Sequence, residues 1–395
     1  MSADLVDRVR QRLAGAGVEV TPAVVADAVR AETGGVVGDV DMLDALRLLQ
    51  REFVGAGPLE PLLRDPATTD VLVCAPGEVW VDRGGGLSRV HDVHFADEDA
   101  VRRLAQRLAL IAGRRLDDAQ PFVDGWLPAP AGPAGGTGGS VRLHAVLPPI
   151  ASRGTCLSLR VLRPAAHDLD ALLRLGAFGP GTAHLLRSVV RARLSFLVVG
   201  GTGSGKTTLL AALLGCVPHQ ERVVCVEDAG ELAPDHPHVV RLVARPPNVE
   251  GVGEVTLRTL VRQALRMRPD RLVVGEVRGA EISDLLAAFN TGHDGGAGTL
   301  HANSPAEVPA RVEALAALAG MSRAALHSQL AAAVQLVLHM RREPGGSRVL
   351  SAVGVLERDG DWVRIAPAWT LATGWGPGRE RLNALLSERG EPPTC

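Results

Sequence analysis

Gly200, Gly201, Thr202, Gly203, Ser204, Gly205, Lys206 and Thr207 form a complete G-x-x-x-x-G-K-[ST] run. In this pattern loop amides surround a phosphate group and a lysine neutralises it. The run stands between a buried-strand pattern, Ser195-Phe-Leu-Val-Val199, and a helix-forming pattern, Thr208-Leu-Leu-Ala-Ala-Leu-Leu214. Such flanks are what the chemistry needs: glycines let N–H groups turn inward, and the helix start adds the positive end of its dipole. Gly200 to Thr208 are therefore the candidate ATP-binding residues, with Lys206 on the β/γ-phosphates and Thr207 on Mg²⁺. Of the 42 basic residues 41 are arginine, and Lys206 is the only lysine. The exception falls where a compact ammonium must fit between phosphates and a planar guanidinium fits less well.

Three later stretches carry further candidates. Val224-Cys-Val-Glu227-Asp228-Ala-Gly-Glu231 ends an apolar run in carboxylates that could order Mg²⁺ or water. The same spacing also suits a solvated acidic turn. Leu272-Val-Val-Gly275-Glu276-Val-Arg278-Gly279, about 70 residues after Lys206, reads as a Walker B strand. Gly275 stands where P-loop enzymes generally have aspartate, which leaves Glu276 to polarise an attacking water. Asn290-Thr-Gly-His293-Asp-Gly-Gly-Ala-Gly-Thr299-Leu-His301 places two histidines in a glycine-rich run around a short strand; periodicity assigns neither a role.

The elements that must position these groups follow from composition shifts along the chain. Residues 1–57 read as helices, with Leu5, Val6, Val9 and Leu13 at helical spacing and a third helix from Asp41 to Phe53. Residues 58–165 read as a smaller α+β domain. Short β-rich runs at 70–74, 78–82, 90–95, 141–147 and 155–162 surround a helix from Asp97 to Ala112. The Pro/Gly-rich stretch 128–139 reads as a surface loop. Residues 166–181 read as a linker with one short helix. In 182–395 strands alternate with helices, the mark of an α/β domain with a largely parallel sheet. Its strands are expected at Phe196–Val199, Val223–Val226, Val239–Val243, Leu272–Val274 and Gly298–His301, closed by a hairpin of Val349–Glu357 and Trp362–Ala366.

Composition narrows the function classes. A formal net charge of −2 argues against a chain built mainly to grip nucleic-acid backbone. Five cysteines (Cys74, Cys156, Cys216, Cys225 and Cys395) lack C-x-x-C spacing, so neither a zinc pattern nor a disulfide framework is expected, and a reducing cytoplasm fits. The first fifteen residues lack the apolar core of a signal peptide, and no window is long and apolar enough to span a bilayer.

Taken in order, these motifs resemble the type II/IV secretion ATPase superfamily, with the nearest likeness to the branch that powers Tad/Flp pilus assembly. The resemblance runs from about Gly55 and includes Gly57-Pro-Leu-Glu-Pro-Leu-Leu, the P-loop, Val226-Glu-Asp, Leu265-Arg-Met-Arg-Pro-Asp270, Val274-Gly-Glu-Val-Arg-Gly279 and Thr299-Leu-His-Ala-Asn-Ser-Pro305. It implies a RecA-like P-loop ATPase domain preceded by a PAS-like α+β domain. Glu227 and Asp228 match the family's aspartate box, Glu276 its catalytic Walker B glutamate, and His301 its histidine box. Arg142 and Arg160 fall in segments whose arginines reach the triphosphate, although this chain reads Ser140-Val-Arg142 after an inserted Pro/Gly loop. Gly298 stands where serine is common. The resemblance further implies a homo-hexamer using ATP and Mg²⁺, peripheral to the cytoplasmic face of the inner membrane and acting on its platform proteins. Two rival readings stay open: an ATP-binding scaffold of the same machinery that hydrolyses weakly, and a nucleic-acid translocase. The absence of tyrosine leaves the latter little material for base stacking.

Overall fold

The computed structural model describes residues 55–128, 140–162, 167–248 and 250–394, with six isolated positions before them (12, 24, 27, 28, 31 and 32). The expected N-terminal helices and the Pro/Gly loop 128–139 thus lie almost wholly outside the described residues. The chain divides into two compact units, Met1–Arg163 and Pro164–Cys395.

The first unit is an antiparallel sheet with one face covered. Its strands are β1 (Asp70–Ala75), β2 (Glu78–Asp82), β3 (Leu87–Val90), β4 (Phe122–Pro128), β5 (Ser140–Val146) and β6 (Cys156–Leu162), in the order β3-β2-β1-β6-β5-β4. Alternation does the sorting: Val71, Val73, Val141, Leu143, Leu157 and Leu159 point to one face. There they meet Val101, Leu104, Ala105 and Leu108 of the helix Glu98–Ile111. Asp97 caps that helix by accepting from Ala100 N at 2.7 Å. The run expected as a strand at 90–95 is instead the end of β3 and a loop. Asp82 Oδ1 accepts from Gly84 N and Gly86 N, and this turn starts the return strand early, so that pairing with β2 finishes at Val90. β4 escaped the sequence reading because Gly125 interrupts it. A Cβ there would lie 2.8 Å from Ala112 Cβ, so glycine is what lets the helix end lie against this strand.

The second unit carries a nine-stranded mixed sheet. Its strands are β7 (Phe196–Val199), β8 (Val223–Glu227), β9 (Val239–Val243), β10 (Arg271–Val277), β11 (Ala297–Leu300), β12 (Leu336–Arg342), β13 (Arg348–Asp359), β14 (Trp362–Thr370) and β15 (Gly374–Trp375). The order is β15-β14-β13-β12-β7-β11-β10-β8-β9, parallel from β12 through β9 and antiparallel beyond. β7, β8 and β11 are buried at every residue, as parallel strands covered on both faces must be. The segment read as a linker, 166–181, holds the short helix Leu169–Arg174. It also buries Leu169, Leu172, Ala177 and Phe178 in this unit's core.

At the amino-terminal edge of the sheet, a buried guanidinium ties the elements together. Arg271 is 1 % exposed; its Nε meets Glu221 at 2.5 Å and its other nitrogens donate to the carbonyls of Val190 and Gly295. Gly295 sits at φ +76°, and a Cβ there would fall 2.0 Å from an Arg271 nitrogen. The glycine-rich approach to β11 is thus shaped by packing. Replacing Arg271 with methionine is expected to lower stability by about 3 kcal/mol, because Glu221 loses its buried partner. The urea unfolding midpoint of the full chain measures this.

Candidate active site at the strand ends

The chemistry-bearing residues of the second unit converge because β8, β10, β11 and β7 lie side by side and parallel. Their carboxyl ends bring Glu227, Glu276, His301 and the P-loop to one edge, the ligand-binding edge of open α/β sheets. The P-loop leaves β7 at Gly200 and enters the helix Lys206–Leu214. Gly203 and Gly205 adopt φ +70° and +94°, and a Cβ on Gly200 would strike the Met340 carbonyl of β12 at 2.2 Å. These turns wrap the loop around the Lys206 ammonium, which is buried and donates to the carbonyls of Gly200 (3.0 Å) and Gly201 (2.9 Å). Burial lowers the Lys206 pKa, while the nearby charge of Glu276 opposes that effect. Thr207 and Thr208 lie half-buried in the first helical turn, and Thr202 is exposed. Ser204 Oγ is buried with no hydrogen-bond partner.

The two carboxylates experience different surroundings. Burial pushes Glu276 up, but Arg278, hydrogen-bonded to it, then His301 and Lys206, outweigh this and hold it below the usual glutamate value. Nε2 of His301 lies 2.6 Å from Glu276 Oε1. Burial and Lys206 depress His301, so its imidazole is neutral at pH 7. Arg278 also lies 3.6 Å from Asp228. Glu227 is 3 % exposed, and burial pushes its pKa up to about 7. One of its oxygens accepts from Leu232 N (2.7 Å) and Glu231 N (3.0 Å). The other has no hydrogen-bond partner and lies 3.8 Å from Arg241.

Gly275 acquires a physical reason here. A Cβ at 275 would sit 2.7 Å from Glu227 Cγ, so the carboxylate of β8 fills the room that an aspartate on β10 would need. Thr299 Oγ1 donates to the Gly275 carbonyl at 2.6 Å and keeps β10 and β11 in step. Gly298 is close-packed as well, with a Cβ there 3.3 Å from the Val274 carbonyl.

Arg142 and Arg160 belong to the first unit, where the register sets them directly opposite each other on β5 and β6. Facing like charges on adjacent strands is unfavourable. The two guanidiniums are flanked by Asp124, 2.6 Å from Arg142, and Asp70, 3.5 Å from Arg160. The side chain of Arg142 also lies 5.8 Å over the Trp126 ring. The residues singled out in the sequence thus fall into two clusters, one in each unit.

Two residues carry no role in the sequence reading. Arg278 was visible in its motif, two places after Glu276. Arg348 has no local signal: it starts β13, and its Nε donates to the Gly203 carbonyl at 2.9 Å. A cavity of about 290 Å³ beside the loop is lined by Gly200, His301, Asn303, Glu307 and Arg311, among others.

The donors suit magnesium held with a phosphate group. No set of three or more His, Cys, Asp or Glu forms a metal site among the described residues. Mg²⁺ characteristically takes one or two carboxylates and fills its shell from phosphate and water. The unpartnered Glu227 oxygen fits that need, and the half-buried Thr207 offers a hydroxyl at the helix start.

The raised Glu227 pKa has a measurable sign. Its folded value, about 7, exceeds the ordinary 4.5, so the folded state binds the extra proton between those values. The resulting stability is fully present below about pH 4.5 and is lost as pH rises through about 7. Without nucleotide or Mg²⁺, Glu227→Gln is expected to stabilise the protein at pH 8 by up to about 3 kcal/mol. The gain should vanish at pH 4.5, and urea melts at both pH values decide it.

The family described as "Type II/IV secretion system protein" matches residues 52–345. A Mycobacterium tuberculosis (strain H37Rv) protein named "Putative conjugal transfer protein Rv3659c" is 63% identical over 353 residues, covering 89% of this chain and 99% of its own length. The "Probable conjugal transfer protein TrbB" of Sinorhizobium fredii is 30% identical, over 74% of this chain and 85% of that protein. Among solved structures, "Crystal Structure of the Pilus Retraction Motor PilT and Bound ADP" has a TM-score of 0.54 at 21% identity, over 77% of this chain and 83% of that one, a likeness of fold. With the family's motifs in order and three-quarters of its length matched, this chain belongs to the type II/IV secretion system protein family.

Proposed function

We propose that the protein is a motor ATPase that binds Mg·ATP at the carboxyl ends of β7, β11, β10 and β8 and hydrolyses it. The observation that carries this reading is the Lys206 ammonium, buried, held by its own loop's carbonyls and within electrostatic reach of Glu276. Phosphate oxygens are better partners for an ammonium than peptide carbonyls, so an incoming triphosphate takes Lys206 over. Gly200 to Gly205 offer their amides to the phosphates, and Thr208 supports the first helical turn. Thr207, Glu227 and Asp228 would hold Mg²⁺, partly through water, and the bound ion would supply charge neutralisation at the β/γ-phosphates. Glu276 is ionised at pH 7 and accepts the proton of the attacking water. His301, neutral and beside it, orients that carboxylate toward the γ-phosphate end. Arg142 and Arg160 supply the forked positive charge that phosphoryl transfer demands.

In this reading the chain works as a homo-hexamer at the cytoplasmic face of the inner membrane, driving Tad/Flp pilus assembly or type II/IV protein export through membrane platform proteins. Membership of the type II/IV secretion system protein family and relatives named for conjugal transfer support a role in transport across the membrane. No helix among the described residues is long and apolar enough to cross a membrane. A second reading, an ATP-binding scaffold with little turnover, is favoured by the Arg278 contact that occupies Glu276.

Lys206→Ala is expected to abolish ATP binding, read with a fluorescent nucleotide; unchanged affinity overturns the site. Glu276→Gln should keep ATP but lose roughly 10²-fold or more in turnover. If wild type and Glu276→Gln consume ATP equally, the scaffold reading replaces the motor. Turnover per subunit should also climb with protein concentration, as sites completed between chains require; a flat profile argues for a monomeric enzyme.

A further inference from the structure

The first unit's sheet is two three-stranded halves, β3-β2-β1 and β6-β5-β4, joined along the single β1–β6 ladder. The register is Asp70↔Arg160, Val71↔Leu159, Leu72↔Ser158 and Val73↔Leu157, where the ladder ends; Cys74 and Cys156 are the next residues of β1 and β6 beyond that last pair. The hydrogen-bond parity of this ladder is fixed by Val161 N donating to the Thr69 carbonyl at 2.8 Å. Odd-numbered β1 residues therefore bond to β6, and even-numbered ones stand in the close, non-hydrogen-bonded positions. Continued by one step, the ladder would set Cys74 against Cys156 in such a position, where Cα atoms lie about 4.5 Å apart, within the roughly 4.4–6.8 Å that a disulfide spans. Directly opposed residues also share a face, here the one that carries Arg160, away from the helix Glu98–Ile111. Cys74 and Cys156 are both free thiols and both half-buried, so a small oxidant reaches them. Cys74 is the extra residue of a bulge against β2, since Val73 pairs with Val79 and Ala75 with Glu78. The bulge loosens Cys74 on the β2 side, giving it room to adjust toward β6. Cys74 is also near enough to act on Cys156: after burial, it is the next influence raising the Cys156 thiol.

We propose that Cys74 and Cys156 form a reversible oxidative modification site, closing an intramolecular cross-strand disulfide when the protein meets a hydroperoxide. One thiol, as thiolate, takes an oxygen from the O–O bond to become a sulfenic acid, and the peroxide leaves as water or alcohol. The second thiol displaces the sulfenic hydroxyl as water, and the S–S bond forms with both cysteines oxidised by one electron each. A thiol reductant reverses it. Disulfides of this kind in reducing compartments are transient and redox-sensing. The bond joins the two halves of the sheet at the β1–β6 ladder they share. It also fixes the register of β6, the strand that holds Arg160.

The test uses the full chain. Reduced protein is treated with hydrogen peroxide, alkylated, digested without reductant and mapped by mass. The expected result is one peptide pair joining Cys74 to Cys156, two hydrogen atoms lighter than its parts and separated by dithiothreitol, with Cys216 and Cys225 recovered alkylated. Cys225, buried and pushed up to about 12, is the internal control for an unreactive thiol. Oxidation should also raise the unfolding midpoint of the wild type, by closing a long loop, and leave that of Cys156→Ser unmoved. Recovery of Cys74 and Cys156 separately alkylated or separately over-oxidised overturns the proposal. So does a bond between either of them and another cysteine or another copy of the chain.

Discussion

Taking the ammonium of Lys206 out of water is costly unless it is surrounded by acceptors, and much of the second unit's design follows from that requirement. The acceptors are two peptide carbonyls of its own loop, and the loop can aim them inward only by turning through left-handed conformations at Gly203 and Gly205. Gly200 must also lie against the Met340 carbonyl, so β12 has to run beside β7. The antiparallel strands after β12 then have a place on that side of the sheet, and Arg348 comes with them to hold the Gly203 carbonyl. The loop is thus braced by a hairpin more than a hundred residues downstream of it.

The carboxylates opposite the loop divide along a second line. Glu276 is kept ionised by Arg278, whereas burial carries Glu227 close to neutrality at physiological pH. Two acids whose environments drive their pKa values apart are suited to different tasks, one to hold charge and one to exchange it. Gly275 makes this division possible, since any side chain there would expel Glu227 from its position on the neighbouring strand.

What the sequence disclosed was local. The strand–loop–helix setting of the P-loop pattern could be placed because its residue types are confined to eight consecutive positions between two clear runs. The position of Glu276 near a strand end could be placed because an apolar run leads up to it. The glycine in front of Glu276 could be seen but not explained, because its reason lies on β8, forty-eight residues earlier. Arg348 gave no signal, for its partner is a backbone atom and any arginine in a strand looks alike. β12 was missed for a related reason: Leu336 to Met340 are all buried, so the run shows no alternation, and it follows a helix with no glycine or proline between. The face-to-face placement of Arg142 and Arg160 needed the register, which the sequence alone does not supply.

The β1–β6 ladder also has a consequence for synthesis. Some eighty residues separate the end of β1 from the start of β6, so at roughly 5–20 residues per second the ribosome takes on the order of ten seconds to deliver β1's second neighbour. Through that interval the nascent chain presents β1 as an open edge, with the apolar Val71 and Val73 beside unpaired amides, a template for pairing with other chains. The burden of keeping this protein soluble while it is being made therefore falls on the first half of a sheet whose finished form hides that strand at its centre.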